Sequence, residues 1–581
     1  MEQNKSISIT WLFRYIAPVK GRMLLLLLLL LFTTALQLLN PQIVKRFIDT
    51  AAEQGAVSGL LGLAGLFLVV SVLNQLIAVA LSYLGNDVAW RATNRLRADL
   101  MGHCLRLDMR FHNLKTPGEM IERIDGDVTG MSNFFAMFIV QIIGSFILLT
   151  GILGFMFAYN WPIALVMAVF TLFSIGAMTV IRNMGVTSSQ KEREASARMY
   201  GLIEERIAGI EDVQTSGAVP YVMNRFQRAM RTVFQRGRRA WMMRVVPWNT
   251  TVVLFTFGMT AVLMLGVYNY LSGEVTLGAL FLIFQYTQML NDPIEQLGNQ
   301  MQEFQKAKSG MRRCREILSR ESEIAEGAGD TLPDGALGVQ FEHVHFSYNP
   351  DKQVLHDIHF ALAPGEQLGI VGRTGSGKSS ISRLLLRLYN LSGGVIRVGG
   401  VDIRELRLEA LYRRVGMVTQ DVQLFDGTLR DNLTLFDSGV TDRDISETIE
   451  RLGLKPWVDG LPQGLDTHLA AGGASLSAGE AQLFALTRVF LTKPSLVILD
   501  EPSSRLDAAT ESTLHAAVDQ LMERCTGIII AHRLATLERV DKIMVLDDGR
   551  IAEFGERERL ARDPSSRYAQ LLRTNRQEEL A

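Results

Sequence analysis

Three short segments in the second half of the chain carry residue types that can do chemistry. Gly372–Ser379 reads GRTGSGKS, with the G-x-x-x-x-G-K-[ST] spacing of a phosphate-binding loop. Its glycines, Gly372, Gly375 and Gly377, let the backbone curl so that N–H groups along Arg373, Thr374 and Ser376 face phosphate oxygens. Lys378 brings positive charge to the β- and γ-phosphates, and the Ser379 hydroxyl can ligate Mg2+, with Ser380 next in the same helix start. The apolar run Leu368–Val371 leads into the loop and a helix is expected from about Lys378, which is the strand–loop–helix context the motif needs. The second segment, LVILDE at Leu496–Glu501, is a buried strand ending in two carboxylates. Asp500 is placed to hold the metal through water, and Glu501 to orient or deprotonate an attacking water. The third, LSAGE at Leu476–Glu480, sets Ser477 and Gly479 at a helix start, where backbone amides favour a phosphate. Such a set hydrolyses a nucleotide.

In order and spacing these pieces resemble the ATPase domain of ABC transporters, which implies ATP and Mg2+ as cofactors. By that resemblance Gln420, in MVTQD, links the metal to the membrane contacts. His532, in IIAHRLAT, matches the switch histidine that contacts the γ-phosphate. Tyr348, in HFSYNP, matches the aromatic on which adenine stacks, and Ser504–Asp507 the loop that faces a partner. Lys378, Glu501 and His532 are thus the expected catalytic residues, and Ser379, Gln420 and Asp500 the expected metal site. The chain departs from the family where L-S-G-G-Q is replaced by L-S-A-G-E. Ala478 adds a methyl where backbone approach is close. Glu480 adds negative charge near a triphosphate, a repulsion of up to ~4 kcal/mol at 4 Å and effective dielectric 20. The family's Glu-Arg pair upstream is replaced by Ala471 and Gly472. An intact hydrolytic half-site beside a weakened cap implies pairing with a second half-transporter of different sequence, with a homodimer as the alternative.

These residues need a scaffold, and the chain divides its composition accordingly. Of 581 residues 48% are hydrophobic, and mean hydropathy is +0.16. The excess lies in six uncharged runs before residue 300: Met23–Val44, Ala56–Asn86, Phe134–Tyr159, Trp161–Ile181, Val245–Leu271 and Val275–Asn291. A span takes about 20 apolar residues, so six transmembrane helices are expected. The N-terminus lacks a cleavage site, and Ile7–Ile16 reads as a surface amphipathic helix. Arginines crowd Asp87–Met131 and Arg182–Arg244 and are missing from Asn160 and Ser272–Glu274, which places both long segments and both termini in the cytoplasm. Ala89–Leu107 and Ser188–Ile210 keep helical periodicity and extend the spans into the cytoplasm. The turns Met109–Met120 and Ser216–Phe226 match the family's coupling segments. The expected fold is an α-helical membrane domain of ABC exporter type, residues 1–318, then a Gly- and Pro-rich linker, 319–338, and an α/β P-loop ATPase domain, 339–581.

Several classes are excluded. A net charge of -1 gives no polybasic signal for nucleic acid, and three scattered cysteines form neither a disulfide framework nor a zinc site. His343, His345, His356 and His359 lie close in sequence without a carboxylate or cysteine at metal-ligand spacing. The expected function is ATP-driven movement of a small-molecule, lipid or peptide substrate across the cell membrane, a bacterial inner membrane, by alternating access. An importer of metal chelates, or an ATP-gated regulator, are the alternatives on the same fold. Gln37, Asn74, Gln141, Asn249, Gln285, Gln288 and Asn291 line a cavity or bond between helices.

Overall fold

A computed structural model describes residues 15, 17–181, 186–470, 476–500, 508–531 and 534–580. Most of Ile7–Ile16, together with Ala471, Gly472, Glu501, Ser504–Asp507 and His532, lies outside the described residues. The chain divides into two units, Met1–Leu105 with Pro117–Arg320, and Arg106–Thr116 with Glu321–Ala581.

The first unit is helical. Its main helices are α1 (Lys20–Ala52) and α2 (Val57–Arg106), and after α3 (Met109–Leu114), which belongs to the second unit, come α4 (Asp127–Met137) and α5 (Gly144–Tyr159). Then follow α6 (Trp161–Ile181), α7 (Val186–Ala208), α8 (Val219–Leu271), α9 (Leu277–Met289) and α10 (Asn291–Leu318). Among the described residues five segments are long and apolar enough to cross a membrane: Lys20–Ala52, Val57–Arg106, Val140–Tyr159, Trp161–Met178 and Val219–Leu271. Only 11% of the most apolar window of Val57–Arg106 is buried within the protein. A soluble core helix would hide such a face, so the outward Leu, Val and Phe side chains fit a lipid surround.

The sixth apolar run behaves differently. It forms α9, 13 residues long, and the helix breaks at Leu290 before α10 begins. Pro293 supplies the reason, because it has no N–H to donate to Met289 O and its ring crowds that carbonyl, while Asp292 before it stays helical. Among the described residues five helices thus qualify by length, and the sixth run is split at Leu290 between α9 and α10. Of the predicted extensions Ala89–Leu107 lies in α2 up to Arg106, and Ser188–Ile210 lies in α7 up to Ala208; α2 and α8 are single helices of 50 and 53 residues. At 1.5 Å per residue they are about 75–80 Å long, far more than the ~30 Å hydrocarbon core. Where the α2 extension packs with α4 and α10, Leu96, Leu100, Val128, Met131, Met311 and Cys314 form one buried cluster. Beside it Arg313 Nε donates to Asp127 Oδ2 at 2.7 Å, and Asp127 is only 7% exposed.

The second unit holds two sheets. The first is antiparallel, from β1 (Val339–Asn349), β2 (Lys352–Leu362), β4 (Gly393–Val398) and β5 (Val401–Asp402), in the order β2-β1-β4-β5. The second comprises β3 (Gln367–Gly372), β6 (Val415–Val418), β9 (Leu496–Asp500), β10 (Thr526–Ile530), β11 (Lys542–Asp547) and β12 (Arg550–Glu556). Its order is β12-β11-β3-β10-β9-β6, parallel except for β12. A short ribbon pairs β7 (Gly427–Thr428) with β8 (His468–Leu469). In β9 and β10 Leu496–Leu499 and Ile528–Ile530 are all buried, as strands covered on both faces must be. The Gly- and Pro-rich stretch before β1 is pinned to this unit: Gly329 N–H donates to Glu405 O at 2.8 Å, and Arg387 reaches Ala325 O.

Candidate functional site

The site grows from the ends of parallel strands. Strand β3 runs into Arg373–Gly377, and α11 (Lys378–Leu385) starts directly after. Gly377 sits at φ 103°, a left-handed conformation that suits glycine, and a Cβ there would lie 2.6 Å from the Leu355 side chain. At Gly372 a Cβ would meet Leu546 O at 2.2 Å, so the loop closes only with glycine. Lys378 is 5% exposed and donates through Nζ to Gly372 O at 2.7 Å and Arg373 O at 3.1 Å. The ammonium lies over the loop, folded back on its carbonyls. Beside it the Ser376 hydroxyl is buried and has no hydrogen-bond partner among the described residues. An orphaned donor in a curled, glycine-built cradle with a buried cation fits a phosphate group.

Neighbouring strands bring further predicted residues to the same edge. Register pairs Ile370 with Ile530, Ile530 with Asp500, and Leu499 with Val418. Asp500 therefore ends β9 two strands from the phosphate loop, and Gln420 follows the end of β6 next to it. Carboxyl ends of parallel strands are where such sheets bind ligands. Glu501 and His532 follow β9 and β10 in the chain and are not described. Tyr348 is joined to the loop helix, its hydroxyl 3.1 Å from Ser380 Oγ and accepting from Arg383 at 3.1 Å. Ser379 is half-buried at the first turn of α11, with Ser380 buried beside it.

Ser477 and Gly479 belong to another part of the unit, and no hydrogen bond joins Ser477 to Gly372–Ser380 among the described residues. Three helices matter there: α12 (Leu429–Thr434), α13 (Lys455–Asp459) and α14 (Ala478–Thr492). Ser477 is the N-cap of α14 in a capping box with Glu480. Glu480 Oε2 accepts from Ser477 N–H at 2.7 Å, and Oε1 accepts from Trp457 Nε1–H at 2.7 Å. Burial alone would raise the Glu480 pKa, but these bonds with Ser477 and Trp457 hold it below the usual carboxylate range. Both carboxylate oxygens of Glu480 are thus engaged within this chain, and its negative charge is retained. Ser477 itself keeps a hydroxyl hydrogen to offer a phosphate, since in the cap its Oγ accepts from Glu480 N–H.

Sequence reading missed two ties between α14 and the strand ends. Gln482 Nε2 donates to Gln420 O at 2.9 Å. Arg488 donates to Asn432 O at 2.7 Å and Gln423 O at 2.9 Å, and burial pulls its guanidinium down to about 10. The only signal was an arginine inside the apolar helical run LFALTRVFL. A third omission concerns the turn after α2. Asp108 caps α3 by accepting from Phe111 N–H at 2.9 Å and also accepts from Glu323 N–H at 2.8 Å. Asn113 donates to the Tyr389 hydroxyl. Residues 106–116 are thus built into the nucleotide unit, while Ser216–Phe226 belongs to the helical one. The histidine group also gains a partner, since His343 Nδ1 lies 2.7 Å from Asp357 Oδ1. No cluster of three metal-ligating side chains exists among the described residues. In the helical unit Asn74 accepts from Thr33 at 2.6 Å, whereas Gln37 and Gln141 line a cavity of about 510 Å³.

Comparison with known proteins agrees with this geometry. Residues 23–294 match the family described as the ABC transporter transmembrane region, and residues 355–504 match the family described as ABC transporter. The chain is 31% identical over 461 residues to the "Fatty acid ABC transporter ATP-binding/permease protein" of Mycobacterium tuberculosis (strain CDC 1551 / Oshkosh), covering 79% of this chain and 73% of that one. It is 29% identical over 580 residues to the "ATP-dependent lipid A-core flippase" of Idiomarina loihiensis, covering 98% of each. Among solved structures, a bacterial Atm1-family ABC exporter with ATP bound superposes with TM-score 0.81 at 24% identity, over 96% of this chain and 99% of that chain.

Proposed function

The chain belongs to the ABC transporters, and from that premise we propose that it exports an amphiphilic substrate as one of two half-transporters. It is a membrane protein of exporter-type fold whose ATPase domain is cytoplasmic and drives transport. The observation that carries the finer reading is the buried Lys378 over a glycine-built cradle, in the same chain as helices whose apolar faces stay outward. In this reading Gly372–Ser380 wraps the phosphates, and Lys378 leaves Gly372 O and Arg373 O to meet the β- and γ-oxygens. Tyr348 supports the base. Ser379, Asp500 and Gln420 would hold Mg2+, which would neutralise charge on the phosphate oxygens. Glu501 orients the attacking water and His532 contacts the γ-phosphate. The closing motion reaches the membrane through Arg106–Thr116, which Asp108 and Asn113 fasten to the nucleotide unit.

The names of the two relatives, a fatty acid transporter and a lipid A-core flippase, support an amphiphile as cargo. The L-S-A-G-E segment favours a partner of different sequence that supplies L-S-G-G-Q. The test is ATP-driven uptake into inside-out vesicles holding the full-length chain, alone and with a second half-transporter. Glu501→Gln is expected to retain ATP and stop uptake. Undiminished uptake in that variant would remove the role given to Glu501, and robust turnover by the chain alone would favour the homodimer.

A further inference from the structure

The cavity in the helical unit is lined by α1, α2, the stretch around Gln141 and the junction of α9 with α10. Gln37 lies well inside the first span, about 25 Å along the axis from Lys20, so the cavity reaches into the apolar zone. Among the described residues no Lys, Arg or His lines it, but Asp292 does. Asp292 is exposed and has neither an ion-pair nor a hydrogen-bond partner among the described residues. The other polar groups divide in two. Thr33 and Ser145 are used between helices, donating to Asn74 at 2.6 Å and to Gln296 Oε1 at 2.8 Å. Gln37, Ser82 and Asn86 line the space with no side-chain partner among the described residues. Leu30, Leu81, Leu148 and Met289 supply the apolar part of the wall.

A carboxylate directly after the sixth apolar run, facing a cavity with no cation among its described lining residues, marks a site where the counter-charge arrives from outside. Neutral amides and a hydroxyl beside apolar walls suit a ligand with an apolar body and a few hydrogen-bonding groups. A carboxylate ligand would meet Asp292 as a like charge. We infer that this cavity binds amphiphiles carrying one positive charge, with Asp292 as the counter-ion. The inference rests on the transport reading above and narrows its cargo to cations.

The experiment is equilibrium binding to the full-length protein in nanodiscs of zwitterionic lipid, without nucleotide. Three probes are compared: tetraphenylphosphonium, palmitate and the neutral octyl glucoside. The cation is expected to bind best. Asp292→Asn should weaken it about ten-fold or more and leave the neutral probe unchanged, while Asp292→Glu retains it. Asn86→Asp, a second carboxylate in the same cavity, should tighten it, a gain that misfolding cannot imitate. Equal cation affinity in wild type and Asp292→Asn, tighter binding of palmitate than of the cation, or no gain in Asn86→Asp would each overturn the inference. ATP-driven uptake is read separately. Asp292-dependent binding without uptake upholds the site and defeats the transport reading, and uptake with binding indifferent to Asp292 does the reverse.

Discussion

Replacing Glu480 by Gln restores the residue usual at this position in the family, yet the structure expects harm from it. The carboxylate offers two oxygens, one to Ser477 N–H and one to Trp457 Nε1–H, each at 2.7 Å. A glutamine offers one oxygen and one NH2, so one donor loses its acceptor and the other bond loses its charge. Hydrogen bonds to charged groups contribute about 1.5–3 kcal/mol and neutral ones about 0.5–1.5 kcal/mol. For this half-buried cap the loss is about 2 kcal/mol, which for a unit of this size lowers the melting temperature by about 4–8 °C. Because the folded state holds the Glu480 pKa below its usual value, the advantage is full above the ordinary carboxylate range. It disappears as pH falls through the folded-state pKa. The gap between wild type and Glu480→Gln should therefore be equal at pH 6 and pH 8 and shrink below about pH 4. The assay is thermal unfolding of the full-length chain in nanodiscs, with Trp457→Phe completing a double-mutant cycle and a coupling of about 1 kcal/mol expected. A carboxylate facing the triphosphate predicts the opposite, a release of up to ~4 kcal/mol of repulsion and tighter nucleotide binding. Unchanged melting with zero coupling to Trp457 would refute the capping argument.

Three further outcomes follow from other contacts. Lys378→Ala removes the one buried ammonium over the phosphate loop, and nucleotide affinity measured by fluorescent ATP binding should drop about 100-fold. Arg313→Ala leaves Asp127 buried without its cation; denaturation should show a loss of about 2–3 kcal/mol, most of it recovered when Asp127→Asn is added. The Cys525 thiol is buried and pushed up to about 12 by that burial. It should stay unlabelled by maleimide at pH 7.5 in the folded protein and react once denatured.

What the residues alone determined is what depends on local spacing. The phosphate loop was legible because a backbone curl needs glycine at fixed offsets, and the structure shows Gly372 and Gly377 where no Cβ fits. The five long spans and their extensions were legible because apolar length and helical periodicity are properties of consecutive residues. The break in the sixth run was not legible, because composition outweighed a single proline, Pro293. Contacts between distant residues were not legible. Glu480 turns inward because Trp457, 23 positions earlier, presents an N–H to it. Asn113 is fastened by Tyr389, 276 positions away. Asp292 faces a cavity whose wall comes from four separate stretches of chain. Spacing along the backbone sets which group can make a bond, while the partner it finds is set by which helices and strands the fold packs together, and only tertiary structure contains that choice.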